Sequence, residues 1–287
     1  VFAADPPVPI ELYDELIASV ADRYRVTVIE VPGFGCSLPR MGFRYSMRSA
    51  VAGIVQILEA LEQGPHVLVM PCVTGFAAIG AARARPDLVR ALVLPQTPDW
   101  DGAQRWLDGR DPKGLLRRPI YGQLALAALR RRRTERWYAT ALGDRTQASR
   151  YAAATLTHFD QGGCFCLASA FQDFLRDAQG QLGPVAQDTL LLWGNADPSH
   201  RDTDPEHSRR LAPRSRLVRF DGVGPAIERP ERGCAAEVGG DALGRRGGMG
   251  ERAFERFERG ARVAVQQFQL ATLGLEGGDV GGMAREG

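Results

Sequence analysis

The sequence predicts an α/β protein, a mostly parallel sheet with helices on both faces, split by a helical insertion. Three observations predict it. From Glu11 to Trp100, short continuous apolar runs alternate with amphipathic helical segments. From Asp101 to about Leu182 the strand pattern stops and only helical spacing remains. At Thr189 the apolar runs resume. Continuous apolar strands alternating with helices are the mark of a parallel sheet buried on both sides.

Each element has a local reason. Glu11 to Ala21 reads as an amphipathic helix, and Tyr24 to Val31 (YRVTVIEV) as a β-rich strand. In Tyr45 to Leu61 the residues Val51, Ile54, Val55, Leu58 and Leu61 recur at helical spacing. Ser46 and Ser49 are candidate caps for its start, and Gly64 with Pro65 ends it. His66 to Met70 (HVLVM) is the second strand. Gly75 to Arg85 is a small-residue helix that stops before Pro86, and Ala91 to Leu94 is the third strand. Helices are expected at Tyr121 to Arg132, Thr134 to Leu142, Thr146 to Leu156 and Leu167 to Asp177, followed by strands at Thr189 to Trp193 and Ser215 to Phe220. Gln161 to Cys166 reads as a turn entering a helix. Beyond Arg232 the chain turns glycine- and arginine-rich, with one amphipathic stretch at Glu251 to Leu273. Four segments follow: 1–100 and 183–231 as two parts of one core, 101–182 as a helical cap, and 232–287 as a tail.

Composition excludes some functions. The net charge is +2 among 24% charged residues, so no global field recruits nucleic acid or an anionic membrane. No run reaches the roughly 18 apolar residues of a membrane-spanning helix. The five cysteines, Cys36, Cys72, Cys164, Cys166 and Cys234, are odd in number and fit no metal or CxxC spacing, which reads as free thiols in a reducing cytoplasm. No cofactor or metal site is expected.

The chemistry-bearing motifs sit at strand ends. Val31-Pro32-Gly33-Phe34-Gly35-Cys36-Ser37 follows the first strand, and Pro71-Cys72-Val73-Thr74-Gly75 joins the second strand to a helix. Downstream lie Arg85 to Leu94 (RPDLVRALVL) and Leu191-Leu192-Trp193-Gly194-Asn195-Ala196-Asp197-Pro198. Together these resemble the α/β-hydrolase fold superfamily, in which a Gly-x-Ser-x-Gly turn between strand and helix lifts the nucleophile to the sheet edge. The resemblance spans about Glu11 to Glu231.

The resemblance implies the following roles. Counted back from Pro86, Cys72 takes the nucleophile position, with Met70 and Thr74 where glycines are usual. A register flanked by Pro71 and Gly75 would centre on Val73, which has no nucleophilic group. Cysteine at this place resembles dienelactone-hydrolase-like members, and the Val73 N–H would hold an oxyanion. Asp197 is the implied triad acid, with Asp99 as the alternative. The histidine position falls on Pro225, which has no titratable group. His200, close after Asp197, and His158, in the insertion, are the candidate bases. His66 reads as structural and His207 as part of a surface helix. Trp100, Trp106, Trp137, Phe159, Phe165 and Phe171 are candidate linings of an apolar substrate pocket. The family's early strands and oxyanion loop are expected to lie before Val1, and the altered C-terminal part suggests a shortened or frame-altered member.

Two functions compete on this reading. One is hydrolysis of small esters, lactones or thioesters through Cys72. The other is an impaired homologue that binds a small apolar ligand or partner, favoured by Pro225. A dehalogenase or epoxide hydrolase would need a carboxylate at position 72.

Overall fold

The computed structural model describes residues 1–31, 34–142, 145–176, 182–195, 197 and 200–220. The expected tail and the Pro225 segment lie outside these residues. Among the described residues six parallel strands form one sheet: β1 (Phe2–Ala3), β2 (Val28–Ile29), β3 (His66–Val69), β4 (Val89–Pro95), β5 (Asp188–Gly194) and β6 (Ser215–Phe220). Their spatial order is β2-β1-β3-β4-β5-β6. All neighbouring pairs are parallel, so every strand ends at the same edge. The order reverses between β1 and β3. In an open parallel sheet that reversal opens a crevice at the carboxyl edge, the usual place for a ligand.

β1 corrects one expectation. Phe2 pairs with both Val28 and Val69, so the strand beside β3 lies inside this chain and not before Val1. Sequence patterning missed it because only two residues pair. β2 is likewise only Val28–Ile29, within the longer run expected to be a strand.

The helices follow their sequence signals closely. A 3-10 turn at Ile10–Tyr13 leads into α1 (Asp14–Val20). α2 (Met47–Ala60) starts where Ser46 Oγ accepts from the Ser49 N–H at 3.2 Å. α3 (Thr74–Ala84) follows β3 directly. Between β4 and β5 come α4 (Trp100–Arg110), α5 (Tyr121–Leu142), α6 (Arg145–His158) and α7 (Cys164–Asp173). α4 was not expected; Asp99 caps it by accepting from the Gly102 N–H at 2.9 Å. α5 runs unbroken where two helices were expected. A π turn at Phe159–Gly163, with Gly162 at φ +108°, separates α6 from α7. The short α8 (Pro205–Ser208) precedes β6.

Both sheet faces are buried, as the continuous apolar strands require. Leu92 and Leu94 of β4 pack with Leu68, Leu191, Ile54 of α2 and Phe76 of α3 on one side. Val93 packs with Leu190, Leu192 and Val218 on the other. The insertion docks onto the chain's start: Tyr13, Leu16 and Val20 share a cluster with Tyr138, Tyr151 and Ala152. No helix among the described residues is long and apolar enough to cross a membrane.

The α2–α3 contact depends on Gly80. A Cβ there would meet Val51 Cγ2 at 2.3 Å. Val51 is β-branched and cannot swing away easily. Gly80→Ala is therefore expected to lower stability by about 1–2 kcal/mol despite alanine's better helix propensity. The double variant Val51→Ala, Gly80→Ala should recover part of that loss. A thermal-melting double-mutant cycle checks it; additive losses would refute the contact.

Candidate functional site

The turn from β3 into α3 is unusual at one residue. Cys72 has φ +49°, the left-handed region that an L side chain enters at a cost of about 1–2 kcal/mol. The surroundings hold it there. The Cys72 N–H donates to Pro95 O at 2.8 Å, and Thr97 Oγ1 donates to Cys72 O at 3.2 Å. The Thr74 and Gly75 N–H groups reach back to Pro71 O. Met70 and Thr74, where glycines were expected, do not share the left-handed conformation. The close approach falls at Gly75 instead, where a Cβ would lie 2.2 Å from Thr97 Oγ1.

This geometry places the Cys72 sulfur at the carboxyl edge. The residue is only 9% exposed, but its neighbours are polar. His200 Nε2 lies 3.6 Å from Cys72 Sγ. Burial pushes the thiol well above its ordinary range, the Asp5 charge adds to the rise, and the Val73 backbone N–H opposes it. His200 is itself buried, which lowers its pKa; the Asp197 charge works the other way and Arg110 with the burial. Thr203 Oγ1 gives its proton to His200 O at 2.8 Å and stands 3.3 Å from His200 Nδ1. With its only proton committed, that oxygen accepts from Nδ1–H, leaving the Nε2 lone pair facing the thiol. Trp193 packs edge-on against the imidazole at 5.5 Å, and Trp106 stacks on it at 6.4 Å.

Asp197 is positioned by Gln96, whose Nε2 donates to its Oδ2 at 2.8 Å. Gln96 also accepts from the Gly194 N–H at 2.9 Å, tying the end of β5 to the end of β4. Asp99 has other work, capping α4 and pairing with Arg210 at 3.4 Å.

Asp5 was missed by sequence reasoning. It follows β1, and because Phe2 pairs with Val69, Asp5 and Cys72 each lie three residues past paired positions, on either side of the crevice. Its Oδ1 is sealed from solvent and has no hydrogen-bond partner among the described residues. Burial, then the Asp197 charge, push its carboxyl up to about 8. Its backbone N–H donates to the Tyr13 hydroxyl at 3.0 Å. The available signal was an aspartate directly after an apolar start, too short a pattern to read as a strand end.

His158 goes elsewhere. Its Nδ1 lies 3.3 Å from Cys36 Sγ and its Nε2 3.2 Å from Glu11 Oε1. Glu11, Glu30 and His158 each bring a ligand atom within 4.8 Å of the others, oxygen and imidazole donors of the kind that hold divalent ions. Glu30 also accepts from the Cys36 N–H at 2.6 Å. A small pocket lined by Pro6, Pro7, Phe34, His158, Phe159 and Leu167 among others adjoins this group.

Of the expected pocket aromatics, Trp106 reaches the site, stacking on His200 and on Phe171. Trp137 belongs to the Tyr138 cluster, Phe159 packs with Leu116 and Leu126, and Phe165 is exposed.

Comparison with known proteins agrees with this architecture. Residues 9–227 match the family model described as the alpha/beta hydrolase fold. Among solved structures, Cfl2 from Burkholderia cenocepacia superposes with TM-score 0.64 at 16% identity, covering 77% of this chain and 79% of that one. Epoxide Hydrolase A from Mycobacterium thermoresistibile gives 0.64 at 18%, covering 77% and 83%. A bromoperoxidase from Bacillus anthracis gives 0.58 at 15%, covering 77% and 82%. No curated protein sequence matches. With the parallel sheet, its single order reversal and a family match over most of its length, the chain belongs to the alpha/beta hydrolase fold family.

Proposed function

We propose that the protein hydrolyses small esters, lactones or thioesters, with Cys72 as nucleophile, His200 as general base and the Val73 N–H as an oxyanion donor. The observation that carries this reading is the Cys72 sulfur, raised on a left-handed corner and facing His200 Nε2 at 3.6 Å. Such a corner is the nucleophile elbow of this fold.

The steps follow from the resting state. Burial raises the thiol and lowers the imidazole, so both partners rest neutral near pH 7. His200 Nε2 takes the Cys72 proton as Sγ bonds to the substrate carbonyl carbon, and the carbonyl π electrons move onto oxygen. Collapse expels the alcohol or thiol, which takes the proton from His200. Water, deprotonated by His200, then attacks the acyl thioester. The carboxylic acid leaves and the thiol proton returns. Asp197, whose charge opposes the lowering of the His200 pKa, stabilises the transient imidazolium. The helices between β4 and β5 act as the cap, with Trp106 against the base as the apolar wall.

The binding-only reading rested on Pro225. A base on the loop after β5 weakens that motive, because His200 does not depend on the segment after β6. Epoxide hydrolase or dehalogenase chemistry, suggested by some structural neighbours' names, would start from a carboxylate where this chain has Cys72.

Hydrolysis of p-nitrophenyl acetate is expected in the wild type and abolished in Cys72→Ala. Equal background rates in both would sink the enzyme reading. His200→Ala should cost about 10²–10⁴-fold in kcat, and His158→Ala should leave the rate within a factor of about two; the reverse ranking would reassign the base. Because His200 must be neutral to accept the proton, and its pKa lies below the ordinary 6.5, activity should hold to below pH 6.5 before falling on the acid side. A pH–rate profile checks this, and an acid limb centred above 6.5 would contradict it.

A further inference from the structure

A tetrahedral oxyanion next to Cys72 needs more than one donor. Val73 N–H is one. In this fold the second usually comes from the loop after the strand neighbouring the nucleophile strand. Here that loop is Ala4–Pro7, after β1. Its backbone cannot serve in the usual way. The Asp5 N–H already donates to Tyr13 at 3.0 Å, and residues 6 and 7 are prolines without an N–H.

What the loop does present is the Asp5 side chain. It stands across the reversal crevice from Cys72, at the matching register position. Its Oδ1 is sealed and has no hydrogen-bond partner among the described residues. A buried carboxyl oxygen without a donor nearby is an expensive acceptor, but as part of a protonated acid the group can donate. The groups acting on it or feeling its charge are Tyr13, Tyr138, Cys72 and Asp197, none of them cationic near neutrality. No described arginine or lysine forms an ion pair with it; Arg110, which influences Cys72 and His200, is not among the groups that shift it.

We propose that Asp5 is a neutral carboxylic acid that donates a hydrogen bond to the substrate oxygen as Cys72 adds to the carbonyl, making it the second oxyanion donor beside the Val73 N–H. The proposal rests on the Cys72 hydrolase reading and adds a catalytic group to it. No proton changes hands: the acid O–H shortens its contact with oxygen as negative charge grows there. A donor carried by an acid ties the reaction to pH, because ionised Asp5 would repel the oxyanion it should bind. The hydrolytic rate then falls as pH rises through about 8, the value to which burial and Asp197 push the group.

Asp5→Asn keeps a donor and removes the titration, while Asp5→Ala removes both. With p-nitrophenyl acetate, Asp5→Ala should lose about 10²–10³-fold in kcat with little change in KM, the magnitude of one oxyanion donor. Asp5→Asn should keep most of the rate and lose the alkaline fall near pH 8. A second readout needs no turnover. A folded pKa raised from 3.8 to about 8 means stability is fully present below 3.8 and lost as pH rises toward 8. The Tm of Asp5→Asn should therefore equal the wild type's near pH 4, exceed it increasingly up to pH 8, and stay above it by a constant margin beyond. Wild-type rates in Asp5→Ala, an unchanged alkaline limb in Asp5→Asn, or a Tm difference independent of pH would each overturn the Asp5 role while leaving Cys72 chemistry intact. Absence of Cys72-dependent turnover in the wild type would overturn the hydrolase reading, and the donor role with it.

Discussion

The backbone at Cys72 is the constraint on which the site depends. A left-handed residue with a side chain is a local cost of about 1–2 kcal/mol, and three neighbours hold it. Pro95 O, at the end of β4, takes the Cys72 N–H; Thr97 binds the Cys72 carbonyl; and Gly75 leaves room for Thr97 to do so. The strain sits on one residue only. Met70 is fully buried in the sheet's core, and the Thr74 hydroxyl donates to Pro71 O at 2.5 Å. Neither needs the conformational freedom of glycine, so the fold keeps its corner although the usual glycines are absent. That corner points the sulfur at the edge where β1 and β3 part, and the loops after β1 and β5 bring Asp5, Asp197 and His200 toward it.

Burial then decides the charge state. A thiolate facing an imidazolium would need solvent or compensating charge, and the site has little of either. The Asp197 charge raises the cost of a thiolate, the Asp5 charge adds to it once that group ionises, and Arg110 is the cation that offsets them. The neutral thiol and neutral imidazole are therefore the stable resting forms. This resembles the logic of a serine hydrolase, where the base takes the proton during attack, more than that of enzymes that store a preformed thiolate. The hydrogen bond from His200 to Thr203 supports the same state, because it fixes the tautomer whose lone pair faces the sulfur.

Much of this was legible in the sequence. The long central strands, the capping Ser46, the helical insertion and the corner at Cys72 all carry strong local signals: continuous apolar runs, an N-cap side chain, a loss of strand pattern, a strand-turn-helix phrase. His200 was legible only as proximity to Asp197, and its pairing with Cys72 depends on the separation of β3 from β5 by β4. His158, the other candidate base, lies against Glu11 and Cys36 because the insertion packs on the start of the chain, a tertiary contact that leaves no local signal. β1 and Asp5 were hidden for a different reason. A strand of two residues gains its place from partners on both sides, through Phe2 against Val28 and Val69, and leaves no periodicity to read.

Two cysteine–histidine pairs occur among the described residues, and physical chemistry separates them. Cys36 faces His158 at 3.3 Å, with Glu11 behind the imidazole, which on paper is the more complete triad. Burial and the charges of Glu30 and Glu11 raise its thiol, and no described cation offsets those carboxylates. The Cys36 N–H is spent on Glu30 at 2.6 Å and the next one, of Ser37, on Phe34 O at 2.9 Å, so nothing there corresponds to the Val73 N–H. Cys36 precedes no helix, sits on an exposed loop and has ordinary backbone. Cys72 has the weaker contact to its histidine, at 3.6 Å, but has three things that Cys36 lacks: a fixed left-handed corner, the Val73 N–H directed at the sulfur, and the Asp5 carboxyl across the crevice. Nucleophilic catalysis on a carbonyl requires the charge to be received as much as it requires the nucleophile to be sent, and of these two pairs it is Cys72–His200, the pair of the proposed mechanism, that has a neighbouring N–H, that of Val73, to receive it.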